Sequence, residues 1–445
     1  MKFQYVPNDI PLPLPTGGLA FLDYTFVALL VASWLVHILF INVLLGASLS
    51  SVYFNYVGHK AEDKSYDRAA YLLTTPVTIS ENMGALWGVA PLLLVSILYT
   101  PLFYSASVMN SPHWLYIIYG NIVAFLISYL YKFTWSALKE HKALHIFLGA
   151  TATLIFYTLP FVFMATSQLY MTPSTWTQNT HFWDALLRPD TLWRLVHFFL
   201  GTFAVSGAFM FVYGAYKRRN AEDRAAGEIL VRTGRAWFLV STGLNFFAGA
   251  LVLFHFPNYG QEGLFQTYYP VLIAVTVLAS LLAMALLIKG FFNDSVAPSE
   301  AWRVAALAFV AVASMATLRH GVREALTAPA MAQSRAGTQQ YVAQVENFRK
   351  TAAARPTPEA PKFAAAGEAL ADKNGCLACH SASQKLVGPA YKDVAAKGYK
   401  VSEIMALVRN PKPANWPGFP EMPAMPDAPD NELKQIAEWI ISLKP

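Results

Sequence analysis

Eight apolar runs set the terms on which this chain can fold. They cover roughly residues 19–57, 76–104, 112–138, 143–166, 191–216, 236–256, 267–292 and 301–319. Each reaches the about 20 residues that a helix needs to cross a hydrocarbon core. Backbone in lipid must satisfy its own polar groups, so runs of this length are helices and not open strands. The composition agrees: 55% of residues are hydrophobic and 13% charged, with 11 Trp, 22 Tyr and 30 Phe to supply the membrane interfaces. The expected fold is all-α: a polytopic bundle of about eight transmembrane helices in a lipid bilayer, then a small helical domain.

The formal charge of +6 does not indicate a nucleic-acid partner, because the basic residues gather in alternate loops. Lys60, Lys64 and Arg68 follow the first run, and Lys132, Lys139 and Lys142 the third. Lys217, Arg218, Arg219, Arg224, Arg232 and Arg235 follow the fifth. Loops 105–111 and 257–266 carry no Lys or Arg, and 167–190 carries only Arg188. By the positive-inside rule the basic loops are cytoplasmic. The N-terminus, a proline-punctuated leader over 1–18, then lies outside, and so does everything after the eighth crossing. In a bacterial inner membrane that side is the periplasm.

After the bundle (19–325), residues 326–362 read as a short helix and a Pro- and Ala-rich linker with Pro356, Pro358 and Pro361. Such a tether lets a domain swing at the outer surface. The last domain, 363–445, holds both cysteines of the chain, in Cys376-Leu377-Ala378-Cys379-His380. A Cys-x-x-Cys-His run is a c-type heme attachment site: each sulfur bonds a porphyrin vinyl group and the histidine reaches the iron. A thioredoxin-like pair would want a βαβ setting. A zinc site would want a further Cys or His, and none follows His380. One covalent heme c is expected. Its attachment on the outer side of bacterial membranes agrees with the loop charges. For a second axial ligand the domain offers Met405, Met422 and Met425; Met405 lies in an amphipathic stretch and reads as core.

Three pieces of this domain resemble a small class I cytochrome c. They are Asn374 to His380, then Val387-Gly388-Pro389-Ala390-Tyr391, then Met422-Pro423-Ala424-Met425-Pro426-Asp427. A closing helix follows, with Leu433, Ile436, Ala437, Ile440 and Ile441 on one face. In that family the second ligand is the methionine opening the Met-Pro-Ala-x-Pro-Asp stretch. The resemblance carries that role to Met422, with Met425 the alternative.

Counting about 1.5 Å per residue from the cytoplasmic charges places five histidines near the outer face: His37, His113, His197, His255 and His320. At a helix end a histidine anchors or bonds a carbonyl, the plainer reading for His59, His113, His141 and His181. His37 and His197 lie inside apolar runs, where an ionisable group is costly and marks function. Both are candidate ligands of a b-type heme iron. Arg194, Arg319 and Arg323 share that level, as partners of heme propionates or as interfacial snorkelling residues. Glu81 is the buried acid to watch for a proton role, or else a residue bonded at an inner helix end.

Trp34 to Phe40 with Leu44-Leu45-Gly46, and Leu195-Val196-His197 with Gly201, Gly207 and Gly214, resemble two helices of the large subunit of cytochrome bd-type oxygen reductases. The resemblance implies one or more b hemes, at His37 and His197, and a membrane partner subunit. Departures are plain. The stretch Asn121 to Trp135 has no acid where the family keeps a glutamate pair. Tyr268 to Val277 has no methionine to be the second ligand of the His197 heme. The quinol loop shrinks to 257–266. The expected function is therefore a respiratory electron-transfer cytochrome passing electrons between periplasmic heme c and membrane b heme, with a periplasmic donor or acceptor protein. The alternatives are a bd-like terminal oxidase fed by a c-type donor, and a heme c carrier on an inert anchor.

Overall fold

The computed structural model describes residues 20–178, 181–256, 265, 268–292, 298–354 and 362–444, and all regular structure among them is helical. The chain divides into two compact units, Met1–Val342 and Ala343–Pro445. The leader 1–18, most of the 257–266 loop and the linker prolines lie outside the described residues.

The first unit holds α1 (Ala20–Ala61), α2 (Lys64–Leu98), α3 (Thr100–Met109), α4 (Ser111–Phe133), α5 (Lys142–Met171), α6 (Phe182–Leu186), α7 (Pro189–Lys217), α8 (Arg224–Phe254) and α9 (Tyr269–Phe292). Helix α10 (Pro298–Ala354) carries the chain into the second unit. Eight of these ten are long and apolar enough to cross a membrane, all but α3 and α6, which matches the count from the sequence. Two details differ. The second apolar run breaks at Tyr99, because Pro101 in the first turn of α3 has no N–H with which to continue α2. The short helix expected after residue 320 is the continuation of the last crossing, through Pro329 and an Ala- and Gln-rich stretch with no glycine pair to end it.

Helices α7 and α8 touch backbone to backbone. Gly207 and Gly214 are seven apart, and so are Gly227 and Gly234. A Cβ on Gly214 would come within 2.6 Å of Gly227 O, and one on Gly234 within 2.6 Å of Gly207 O. Without an apolar driving force in lipid, this close approach is what holds two helices together. At the basic end, Arg68 at the start of α2 reaches Asp223 (2.7 Å) and Glu222 (3.1 Å), and Lys217 reaches Asp223 (3.7 Å). Helix α1 packs on α7 in a fixed register: Thr202 Oγ1 donates to Asn42 Oδ1 (2.9 Å), and Gly46 sits against Ser206.

The second unit is α11 (Lys362–Lys373), α12 (Tyr391–Ala396), α13 (Val401–Arg409) and α14 (Asp430–Ser442). Its core is Ala371, Tyr391, Ile404, Ile436, Ala437, Trp439 and Ile440. Of the apolar face expected of the closing helix, Leu433, Ile436, Ala437 and Ile440 are buried in α14, Ile441 is half-buried, and Trp439 is buried as well.

Candidate functional site

In the second unit Gly375 takes the left-handed conformation (φ 71°), which only glycine adopts freely, and turns the chain out of α11 into one 3-10 turn, Cys376–Ala378. His380 N–H closes that turn on Cys376 O (3.0 Å), so both sulfurs and the imidazole project from adjacent positions. Neither cysteine is in a disulfide; Cys376 is half-buried and Cys379 exposed. Burial pushes the Cys376 thiol up, and burial beside that thiol also raises the Tyr391 phenol.

His380 Nδ1 donates to Pro389 O (2.8 Å). A carbonyl only accepts, so the proton sits on Nδ1 and the lone pair on Nε2 stays unspent, the arrangement of a metal-ligating histidine. Tyr391 stacks on the ring (5.0 Å between centroids, 13°), and Trp439 meets Tyr391 edge-on (5.3 Å). Gly388 backs the other side: a Cβ there would lie 2.7 Å from Nδ1 and 2.8 Å from Nε2. The segment is laced down by Gly388 N–H to Cys379 O (2.8 Å) and Tyr391 N–H to Ser381 O (2.9 Å). Leu386 and Val387, just before the glycine, are 49% and 54% exposed, apolar surface that a small domain has reason to cover. Met422 and Met425 are both half-buried in the loop before α14. Met425 N–H donates to Val408 O (3.1 Å), while Arg409 donates to Ala428 O (3.2 Å) and pairs with Asp430. Met405 packs against the core. An unspent imidazole nitrogen, two free thiols on the same turn and half-buried methionines fit a covalently held iron porphyrin.

In the first unit His37 repeats the pattern of His380. Its Nδ1 donates to Gly84 O (2.8 Å), and the ring rests on Gly88, where a Cβ would lie 2.9 Å from Cε1. His197 lies against Gly249, whose Cβ would be 3.3 Å from Cε1, and its buried Nδ1 finds no hydrogen-bond partner. Asn245 Oδ1 and Thr242 Oγ1, one turn apart on α8, are also buried without partners. Each such group costs about 1–3 kcal/mol, so three along one wall mark room for a ligand. The register of Asn42 with Thr202 sets His37 and His197 at the same level, since each lies five residues earlier. Nine residues separate each from the Gly46–Ser206 contact, about two and a half turns, which aims both rings away from the α1–α7 seam. His37 faces α2 and His197 faces α8, so the structure gives them separate walls and not a shared pocket.

Around this level Arg194 and Arg319 are half-buried and Arg323 is fully enclosed. Arg323 is 2% exposed; its Nε donates to Tyr170 Oη (3.1 Å), its plane lies over Tyr99, and its Nη1 has no partner. The snorkelling reading is therefore corrected for Arg323: tyrosines on α5 and at the end of α2 supply the polar partner and the ring face that let the guanidinium stay inside. Arg319 lies over Trp34 (4.6 Å), one turn before His37. Arg194, one turn before His197, donates to Gln168, whose amide donates to Asp190 (2.6 Å). Asp190 is paired with Arg188 (2.7 Å) and Glu324 accepts from Tyr99. The balance is a cationic cluster with spare N–H groups, suited to carboxylates. The sequence did not single out Tyr99, Tyr170, Gln168, Thr242 or Asn245; polar side chains inside apolar runs were the available signal.

Among the remaining histidines, His320 Nδ1, like His197 Nδ1, is buried without a hydrogen-bond partner, while others have local partners. His113 stacks on Phe182 (4.1 Å), and His255 Nδ1 donates to Leu251 O (2.7 Å). His145 Nδ1 accepts from Asn55 (2.9 Å) while Nε2 donates to Tyr131 O (2.7 Å). Glu81 is not at a helix end: it sits mid-way along α2, 2% exposed, accepting from Ser128 Oγ (2.6 Å).

Residues 364–444 match the sequence profile of the cytochrome c family. They are 43% identical over 82 residues to cytochrome c-551 of Pseudomonas denitrificans, covering 18% of this chain and 98% of that protein. They are 41% identical over 83 residues to cytochrome c-552 of Hydrogenobacter thermophilus, covering 18% and 83%. A solved bd oxidase from Geobacillus thermodenitrificans superposes with a TM-score of 0.57 at 12% identity, covering 75% of this chain and 98% of that chain. At that identity the likeness shows a shared helix-bundle fold. The attachment turn, the backed histidine and the near-complete coverage of those small proteins make this chain, through its C-terminal domain, a member of the cytochrome c family.

Proposed function

We propose that the chain is a respiratory electron-transfer cytochrome of a bacterial inner membrane. Cys376 and Cys379 would hold heme c covalently, and His380 and Met422 would supply the ligands of its iron. Electrons pass between that heme and a b-type heme held by His197, with His37 the next ligand candidate. The observation that carries the reading is the buried, partnerless Nδ1 of His197 beside Asn245 and Thr242. The iron porphyrins supply the one-electron couples. The chain's own residues orient and enclose them: Pro389 O and Gly84 O fix the His380 and His37 tautomers, and Arg194, Arg319 and Arg323 receive propionates. Photochemical reduction of heme c in the purified protein should be followed by reoxidation of heme c and, at the same rate, reduction of a non-covalent heme. Transfer that persists in His197→Ala would contradict the assignment. The bundle's fold keeps a second reading in view, a subunit that delivers c-derived electrons to oxygen, though Asn121 to Trp135 lacks the acids that chemistry uses in the family.

Met422→Ala should abolish the low-spin methionine features of heme c, and Met425→Ala should leave them intact; the reverse pattern reassigns the ligand to Met425. The second unit is assigned to the periplasm by the basic loops and by the site of heme c attachment, facing a soluble redox partner there. Protease added to intact spheroplasts should release a soluble heme fragment by cutting between about residues 352 and 361, where the prolines cluster. Cleavage seen only after membrane rupture would reverse the topology.

A further inference from the structure

The basic end of the bundle is not uniform. Several of its cations are spent on acids: Arg68 on Glu222 and Asp223, Lys142 on Asp67 (2.5 Å), Lys217 on Asp223 (3.7 Å) and Arg218 on Glu228 (3.3 Å). On α8, α9 and α10 the pattern changes. Arg232, Lys289 and Arg303 are exposed, and among the described residues none of the three has an ion pair or a hydrogen bond. Arg235, half-buried, lies over the ring of Phe211 (5.7 Å).

These cations border one apolar core. Helices α7 to α10 meet in a cluster that includes Phe211, Val231, Leu287 and Val304, and Leu239, Leu286 and Leu307 pack against it. Arg232 precedes Leu239 by two turns, Lys289 follows Leu286 by one, and Arg303 precedes Leu307 by one. Successive crossings alternate in direction, so all three steps lead out of the same core toward the basic end. Glu228, one turn before Arg232, is taken by Arg218, and the other acid described at this rim is Glu300. Arg232, Arg235, Lys289 and Arg303 against Glu300 leave three positive charges in excess. Toward the membrane centre the surface is apolar and open. Val240 and Leu244 continue the lane of Arg232 along α8, Leu282 and Leu278 that of Lys289 along α9, and all four are exposed. Trp302, beside Arg303, is exposed too, and a tryptophan at the edge of an apolar run sits at headgroup level.

We propose that this rim binds the headgroup of cardiolipin, a phospholipid with two phosphates and four acyl chains. Guanidinium groups take phosphate oxygens as paired hydrogen bonds, and basic pockets between membrane helices hold headgroups of this kind. Two phosphates answer three surplus charges better than one, and cations spread over three helices reach both. The acyl chains lie along the lanes of Val240 with Leu244 and of Leu278 with Leu282. An acidic protein segment would meet the charges but leave those lanes, which run into the hydrocarbon, uncovered. The lipid also supplies an attachment for α9. That helix has no glycine before Gly290, so it is without the close-approach residues that join α7 to α8, and in lipid no apolar driving force replaces them. The site needs the bundle to span a membrane and is independent of the heme assignments.

Native mass spectrometry of the delipidated full chain tests it, with cardiolipin or phosphatidylglycerol added back in detergent. One cardiolipin per chain should be retained at a concentration where phosphatidylglycerol, supplied at equal phosphate, is not. Removing one cation near an anionic headgroup weakens the attraction about fivefold. Arg232→Gln, Lys289→Gln and Arg303→Gln together should therefore weaken cardiolipin binding about a hundredfold. Lys60→Gln, Lys64→Gln and Arg219→Gln together remove the same charge from exposed positions on α1, on α2 and after α7, and should change it less than about fivefold. Elution of each variant on size exclusion reports its folding. Wild type that retains no cardiolipin, phosphatidylglycerol held as tightly as cardiolipin, or an equal loss in the two triple variants would each overturn the proposal.

Discussion

His197→Ala is expected to yield a chain that keeps its covalent heme c and loses its non-covalent heme. The size of the effect follows from the geometry. The ring is held between α7 and α8 against Gly249, with Nδ1 buried and without a hydrogen bond, and Asn245 is the polar group of the protein beside it. Removing an outer-shell group that only orients a ligand costs about 10–100-fold in affinity; removing the ligand itself should exceed that. Asn245→Leu, which removes the buried amide beside the ring, provides the graded comparison and should weaken retention without abolishing it. Acid-acetone extraction followed by spectroscopy of the extract checks both. An extract from His197→Ala with undiminished heme would move the site elsewhere, His37 being the first place to look.

Gly388→Val should prevent assembly of the cytochrome domain's low-spin heme. A valine Cβ would meet the His380 ring within 2.8 Å at both nitrogens, before its methyl groups are counted. The ring cannot retreat, because Tyr391 stacks behind it and Tyr391 is itself wedged against Trp439. Overpacking of this kind costs about 1–3 kcal/mol. Here the strain falls on the hydrogen bond from Nδ1 to Pro389 O that aims Nε2. The loss of low-spin absorbance in Gly388→Val, with the covalent heme still present after denaturation, would separate misdirected ligation from failed attachment. A spectrum identical to wild type would show that the glycine is not needed for the ring's position.

Both effects depend on features that differ in how far they were legible. Spans long enough for the membrane, the buried face Leu433, Ile436, Ala437 and Ile440, and the attachment turn all follow from local spacing, and local spacing survives folding. The facing of His37 and His197 does not. It depends on the α1–α7 register fixed by Asn42 with Thr202 and by Gly46 with Ser206, contacts between residues 160 apart in the chain. Arg323 was misread for a related reason: its depth in sequence suited an interface, but Tyr170 from α5 and Tyr99 from the end of α2 enclose it. Helix α10 outran its expected end because its polar composition past residue 320 suggests a linker, whereas alanine and glutamine are also good helix formers.

The central claim, that one chain carries both a covalent heme and a bundle-bound one, is tested most directly by a pyridine hemochrome spectrum of the purified full-length protein. The expected result is one c-type heme and at least one b-type heme per chain, the b-type component falling with His197→Ala. A spectrum containing c-type heme alone would contradict the account and leave the eight helices as an anchor for a single cytochrome c.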